Sequence, residues 1–135
     1  MWPRQLTSKL RRSTLAFSDP ITITVNSVAK VMPRIATKTE GNTSSSTYAT
    51  ADGLWELFIS HARSKGRVRS LIRFTQKGIV TNPLDSSNDY DTLIDQRVLD
   101  RPDFGFTSTQ LSQQVAGFSA WEDATVVGKL FGTES

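Results

Sequence analysis

Apolar and polar residues alternate strictly through Ile21-Thr22-Ile23-Thr24-Val25-Asn26, and the β-branched side chains suit a half-buried strand. Asn26-Ser27 supplies turn chemistry, so Val28 to Lys38 is expected to fold back as the second strand of a hairpin. Lys30, Arg34 and Lys38 share one parity there, and Val31 and Ile35 share the other. Pro33 has no N–H to give to a ladder, which puts this strand at a sheet edge or makes residue 33 a bulge. Glu40 to Gly53 is rich in Ser, Thr, Gly and Asn; within it Thr43 to Tyr48 reads as a short polar strand and Ala51-Asp52-Gly53 as a turn.

Leu54 to Lys65 and Arg67 to Lys77 read as two strands joined by a tight turn at Lys65-Gly66. In the second of them Arg67, Arg69, Arg73, Thr75 and Lys77 share one parity while Val68, Ile72 and Phe74 share the other, so one face is basic and the opposite face apolar. In the first, His61, Arg63 and Lys65 share a parity, opposite Phe58, Ser60 and Ala62, and the two basic faces are expected to coincide across the hairpin. A helix would scatter the same arginines around its circumference, and Gly66 would interrupt it.

Ile79 to Asp91 holds Asn82-Pro83 and Asp85-Ser86-Ser87-Asn88-Asp89, which predicts an exposed loop. Thr92 to Leu99 returns to strand composition, with Ile94 and Val98 on one face and Asp95 and Arg97 on the other, closed by Arg101-Pro102. Thr107-x-x-Gln110 has the form of a capping box, with Leu111 and Val115 on one face of the helix that follows and Gly117 as its stop. Ser119-x-x-Glu122 repeats the pattern before a second helix whose stripe is Ala120, Ala124, Val127, Gly128 and Phe131, ended by Gly132. The fold class is therefore α+β: an N-terminal hairpin, an antiparallel sheet and two C-terminal helices.

A chain of 135 residues fits one domain. Its mean hydropathy of -0.31 comes with no apolar run long enough for a membrane-spanning helix, so no membrane partner is expected. Cysteine is absent and His61 is the single histidine, which removes thiolate nucleophiles, sulfur-ligated zinc and multi-histidine metal sites within one subunit. Neither a phosphate-binding P-loop nor a nucleophile elbow occurs, so no enzyme, cofactor or metal is expected.

The net charge of +3 comes from 16 basic and 13 acidic residues that are unevenly placed. Residues 1–16 hold Arg4, Lys9, Arg11 and Arg12 and no acid; residues 61–77 hold Arg63, Lys65, Arg67, Arg69, Arg73 and Lys77 and no acid; residues 78–135 hold nine acids against Arg97, Arg101 and Lys129. Such segregation points to a basic surface presented to a polyanion. His61, Arg63, Lys65, Arg67, Arg69, Arg73, Thr75 and Lys77 are the candidate residues of that polyanion-binding surface. The helix stripe needs an apolar partner surface that a thin sheet with a basic face does not offer, which makes Val127, Gly128 and Phe131 candidates for a subunit interface.

The order of these elements resembles the coat proteins of single-stranded RNA bacteriophages. Asp19-Pro20-Ile21-Thr22-Ile23-Thr24-Val25-Asn26-Ser27-Val28-Ala29-Lys30-Val31-Met32-Pro33-Arg34-Ile35 looks like their opening hairpin. Val127-Gly128-Lys129-Leu130-Phe131-Gly132-Thr133-Glu134-Ser135 is similar to the Gly-Lys-Leu-hydrophobic-Gly ending found in the family's Caulobacter-phage branch. The resemblance implies an intertwined homodimer in which two five-stranded sheets join edge to edge, the helices of each subunit crossing onto the other. It also implies dimers that build an icosahedral shell in the virion, assembled in the bacterial host cytoplasm around single-stranded genomic RNA. Repression of replicase translation through an RNA hairpin is a further property it implies, without carrying the base-contacting positions over to this chain. On this reading residues 1–17 are a basic N-terminal arm and residues 18–135 the coat domain.

Duller readings stand beside these. His61 reads first as an ordinary strand residue and Tyr48 as packing, each with contact to a base as the alternative. Asp85, Asp89 and Asp91 lack the spacing of a calcium loop and read as solvated acids. The leader resembles a targeting peptide in being basic and acid-free, but a retained arm is expected, with Leu6 and Leu10 on a short helical turn. The alternative function is a dimeric β-sheet nucleic-acid-binding regulator that forms no shell.

Overall fold

A computed structural model describes residues 17–135, so the predicted arm, including the helical turn at Leu6 and Leu10, lies outside the described residues except for Phe17. Strands β1 (Ile21–Val25) and β2 (Val28–Met32) form a separate hairpin. Strands β3 (Arg34–Glu40), β4 (Thr43–Ala49), β5 (Trp55–Ser64), β6 (Arg67–Thr81) and β7 (Asn88–Pro102) form a five-stranded antiparallel meander in chain order. Helices α1 (Ser108–Trp121) and α2 (Ala124–Phe131) follow. This is the predicted α+β architecture.

The core sits where the hairpin covers one face of the sheet. Met32, fully buried, packs with Tyr48, Leu57 and Ile59, and Ile21, Ile23, Trp55, Ile72 and Phe74 close around them. Trp55 and Phe74 stack with ring centroids 5.4 Å apart, and the Lys30 ammonium lies 4.9 Å from the Trp55 ring centre. Tyr48 is thus a packing residue: its hydroxyl accepts from Arg34 Nε and Nη2 at 3.3 and 3.2 Å.

Several boundaries differ from expectation. Val28 to Lys38 is two strands in two sheets: Pro33 ends β2, its carbonyl accepts from Ala49 N–H, and the chain passes from the hairpin into the sheet. The register of β3 on β4 then shifts between Arg34 and Ala36. The loop expected over Ile79 to Asp91 shrinks to residues 82–87, because Ile79, Val80 and Thr81 pair with Tyr90, Asp89 and Asn88 and lengthen β6 and β7 to 15 residues each. Turn-forming Asp and Asn side chains do not prevent pairing once a long partner strand is in place.

Thr107 caps α1 as predicted: its Oγ1 accepts from Gln110 N–H at 3.1 Å while Gln110 Oε1 accepts from Thr107 N–H at 2.9 Å. Gly117 does not stop the helix, which runs on to Trp121, so Ser119 is an interior residue and Asp123 caps α2 by accepting from Val126 N–H. Ala120 therefore belongs to α1, and the predicted stripe divides between two helices. Neither helix contains a buried residue; α1 meets the sheet through Arg97, which donates to Ser119 Oγ at 2.8 Å and pairs with Glu122 at 3.7 Å.

Met32→Ala is expected to cost about 2–5 kcal/mol, since a fully buried side chain leaves a cavity between hairpin and sheet. Urea denaturation at fixed protein concentration measures it, and Val31→Ala, on the exposed side of β2, is the control expected to change little.

Candidate nucleic-acid interface

Lys65 and Gly66 join β5 to β6 with φ of 51° and 75°, the left-handed pair that a two-residue hairpin connection requires. Ser64 is thereby set opposite Arg67, and the ladder runs on through Ala62 and Arg69, Phe58 and Arg73, to Glu56 and Thr75. Directly opposed residues point to the same face. Odd positions of β6 therefore share a face with even positions of β5 and β7, on the side of the sheet away from the hairpin.

This register gathers Arg67, Arg69, Arg73, Thr75 and Lys77 on the open face, as their parity predicts. It does not bring His61 and Arg63 to them. Those two stand opposite Ser70 and Val68, on the hairpin face, because a connection of two residues pairs odd positions with even ones. His61 Nδ1 lies 2.8 Å from Ser70 Oγ, and Arg63 pairs with Asp103 at 3.6 Å. Lys65 occupies the turn. The expected single surface of eight residues is divided, and its basic part is confined to β6.

The open face is also less purely basic than β6 alone suggests. Asp100 on β7 lies opposite Arg69 and takes both neighbouring arginines: Arg67 Nε donates to Oδ1 at 2.8 Å and Arg69 Nη2 to Oδ2 at 3.3 Å. These hydrogen bonds, that from Arg67 first, hold the Asp100 carboxyl below its ordinary range. Arg73 Nε donates to Gln96 Oε1 at 3.2 Å, and its guanidinium carbon lies 5.7 Å from the centre of the Phe58 ring directly opposite. Arg67 and Arg69 remain more than half exposed, and Lys77, opposite Thr92, is exposed.

Sequence reasoning missed Phe58, Tyr90, Gln96 and Asp100 on this face. Phe58 was visible in the alternation of β5, but Tyr90 and the β7 residues join only through the ladder, Tyr90 standing opposite Ile79 with 65% of its surface exposed. Leu71, Val98 and Ile94 add an apolar strip beside the arginines. Asp89 and Asp91 lie on the hairpin face while Asp85 bonds Ser87 in the turn, so the three acids do not converge. Val127 and Phe131 of α2 are 49% and 92% exposed, with Gly128 open beside them.

The comparisons with known proteins meet this geometry from two directions. Residues 18–84 match the family model described as the coat protein of phage phiCb5, a Caulobacter RNA phage. That match takes in the hairpin and the sheet as far as β6 and stops short of the C-terminal tail. A solved virus-like particle of bacteriophage AVE019 has the same fold, with a TM-score of 0.65 over 85% of this chain and 94% of that one, at 8% sequence identity. None of the curated proteins matches the chain. The chain resembles the coat proteins of RNA bacteriophages in its opening sequence and in its whole fold.

Arg67→Ala is expected to move the Asp100 carboxyl back toward its ordinary range, and Arg69→Ala to do so by less. Because the folded value is the depressed one, the stabilisation from this cluster is present above the ordinary carboxylate value and is lost as pH falls through the depressed value. A carboxyl titration by NMR of the three proteins checks both the direction and the order.

Proposed function

We propose that the chain is a coat protein that assembles as homodimers into a capsid and binds single-stranded RNA on the open face of its sheet. The observation that carries the reading is the placement of Arg67, Arg69, Arg73 and Lys77 with Phe58 and Tyr90 on the face that the hairpin leaves bare. The match to a phage coat family and the fold of a bacteriophage particle support a structural rather than an enzymatic role.

Each arginine or lysine that neutralises a phosphate releases a condensed counterion, which gives affinity without sequence preference. Asp100 and Gln96 hold three of the guanidinium groups against β7, so less side-chain freedom is lost when a phosphate arrives. Phe58 and Tyr90 are the aromatic groups on which unpaired bases stack. His61 and Arg63, on the other face, drop out of the binding set. A specific RNA hairpin, with repression of replicase translation, would be read by the same face.

The exposed apolar groups of the helices support the homodimer: Phe118, Trp121, Val127, Leu130 and Phe131 all stand open in the single chain. In the assembled shell the RNA face lines the interior, the protein resides in the virion, and assembly takes place in the bacterial host cytoplasm. The leader's Arg4, Lys9, Arg11 and Arg12 add charge to RNA binding or tie neighbouring dimers together.

Closed shells containing RNA are expected by negative-stain imaging and by absorbance of the purified particles; a protein that stays dimeric with RNA bound is a regulator and not a coat. For isolated dimers, RNA binding should weaken steeply with salt, and Arg73→Ala should reduce the magnitude of the salt slope by about one. Wild-type affinity and slope in both Arg69→Ala and Arg73→Ala would remove this face from the function. Phe131→Ala should shift the subunit equilibrium toward monomer, at a cost of about 3–5 kcal/mol if the partner fully buries the ring.

A further inference from the structure

The hairpin of β1 and β2 covers its face of the sheet around Met32 and Tyr48 and leaves Thr39, His61 and Arg63 exposed on the same side. A cavity of about 280 Å³ opens there, lined by Thr39, Asn42, Thr43, Ser44, His61 and Arg63, with no acid in its walls. The ladder brings them together. Thr39 stands opposite Ser44 and Ser44 opposite His61, so the three share a face, and Arg63 follows roughly 6.5 Å further along β5. Arg63 N–H donates to the Asn42 carbonyl at 3.1 Å, which holds the β3–β4 turn against that strand.

Each of these polar side chains can offer a hydrogen to a ligand. Asp103 lies 3.6 Å from Arg63, an ion pair too long for a hydrogen bond, so the guanidinium keeps its donors for another acceptor. When Ser70 Oγ donates to Nδ1 of His61, the remaining ring proton sits on Nε2 and adds a further donor. A second cavity shares Ser44 and His61 with the first and is walled beyond them by Thr37, Ile59 and Phe17. Donors are thus gathered at one end, and an aliphatic and an aromatic side chain stand at the other.

We propose that the two cavities together bind a phosphate monoester, its phosphate held by the Arg63 fork, by His61 and by the hydroxyls of Thr39 and Ser44. The carried group then lies against Phe17 and Ile59, with Phe17 half exposed to receive it. A monoester presents three terminal oxygens to these donors, where a diester inside a polynucleotide presents two. This site goes beyond the capsid reading, because it lies on the side of the sheet turned away from the β6 arginines.

His61 is the sole histidine, so its ring gives a single NMR resonance that reads the cavity in the unaltered protein. Inorganic phosphate and adenosine monophosphate, titrated at fixed pH and ionic strength, should each shift that resonance saturably, the nucleotide at the lower concentration. Sodium chloride alone should not. Arg63→Gln should raise the dissociation constant of both by roughly tenfold or more, and Asp103→Asn, which removes the acid beside the guanidinium, should lower it. Phe17→Ala should weaken the nucleotide and leave inorganic phosphate unchanged. Arg63, Asp103 and Phe17 are all exposed, so the fold survives these changes.

No saturable shift with either probe overturns the site, as does a shift that Arg63→Gln leaves intact. Equal affinity for the two probes, unaltered by Phe17→Ala, overturns the ester. An RNA oligonucleotide without terminal phosphate that shifts His61 as strongly, at equal concentration of phosphate groups, overturns the preference for a monoester. Arg73→Ala should leave every one of these titrations unchanged, so that loss of the RNA face and loss of this site are read separately.

Discussion

The register between β5 and β6 decides which chemistry this sheet shows to each side, and it hangs on two residues. Lys65 and Gly66 both take left-handed backbone, which closes the connection in two residues and sets Ser64 against Arg67. A third residue in that turn would exchange every pairing of odd and even positions, carrying the β6 arginines to the side occupied by Met32, Tyr48 and Leu57. Burying guanidinium groups under the hairpin is strongly unfavourable, so the apolar face and the turn enforce one another. Gly66 meets the demand for positive φ without strain; Lys65, which carries a Cβ, pays a small conformational penalty there.

Elements with a strong local signal were legible in the chain. The strict alternation of Ile21 to Asn26 gave the hairpin, the parity of Arg67 to Lys77 gave the basic face of β6, and Thr107 with Gln110 gave the start of α1. What could not be read lay between strands. The side on which His61 and Arg63 fall depends on the pairing of β5 with β6, and the acid that engages Arg67 and Arg69 is more than thirty residues further along the chain. Gly117 was misleading because a glycine inside a helix costs only about 1 kcal/mol, which the turns on either side of it readily offset.

The distribution of apolar surface has its own logic. The hairpin covers the part of the sheet around Met32, Tyr48, Leu57 and Ile59, and there the chain is well packed. Beyond β6 it is not: Leu93, Ile94 and Val98 of β7 and Phe118, Trp121, Val127, Leu130 and Phe131 of the helices stand open, and the helices reach the sheet through the polar contacts of Arg97. A domain of this size ordinarily buries its helices against its own sheet. In the homodimer proposed above a second subunit covers that surface, and the stability of the C-terminal third would then depend on protein concentration.

The bend at Pro33 and the lost register after Arg34 concern more than the first strand of the sheet. A sheet with two equally receptive margins has no reason to stop at two copies; each addition exposes another margin, and the product is an endless ribbon. Making one margin unreceptive caps that growth at a closed pair. Pro33 and the slipped residue beside it make the β3 margin unreceptive, so strand addition cannot propagate from that side of the sheet.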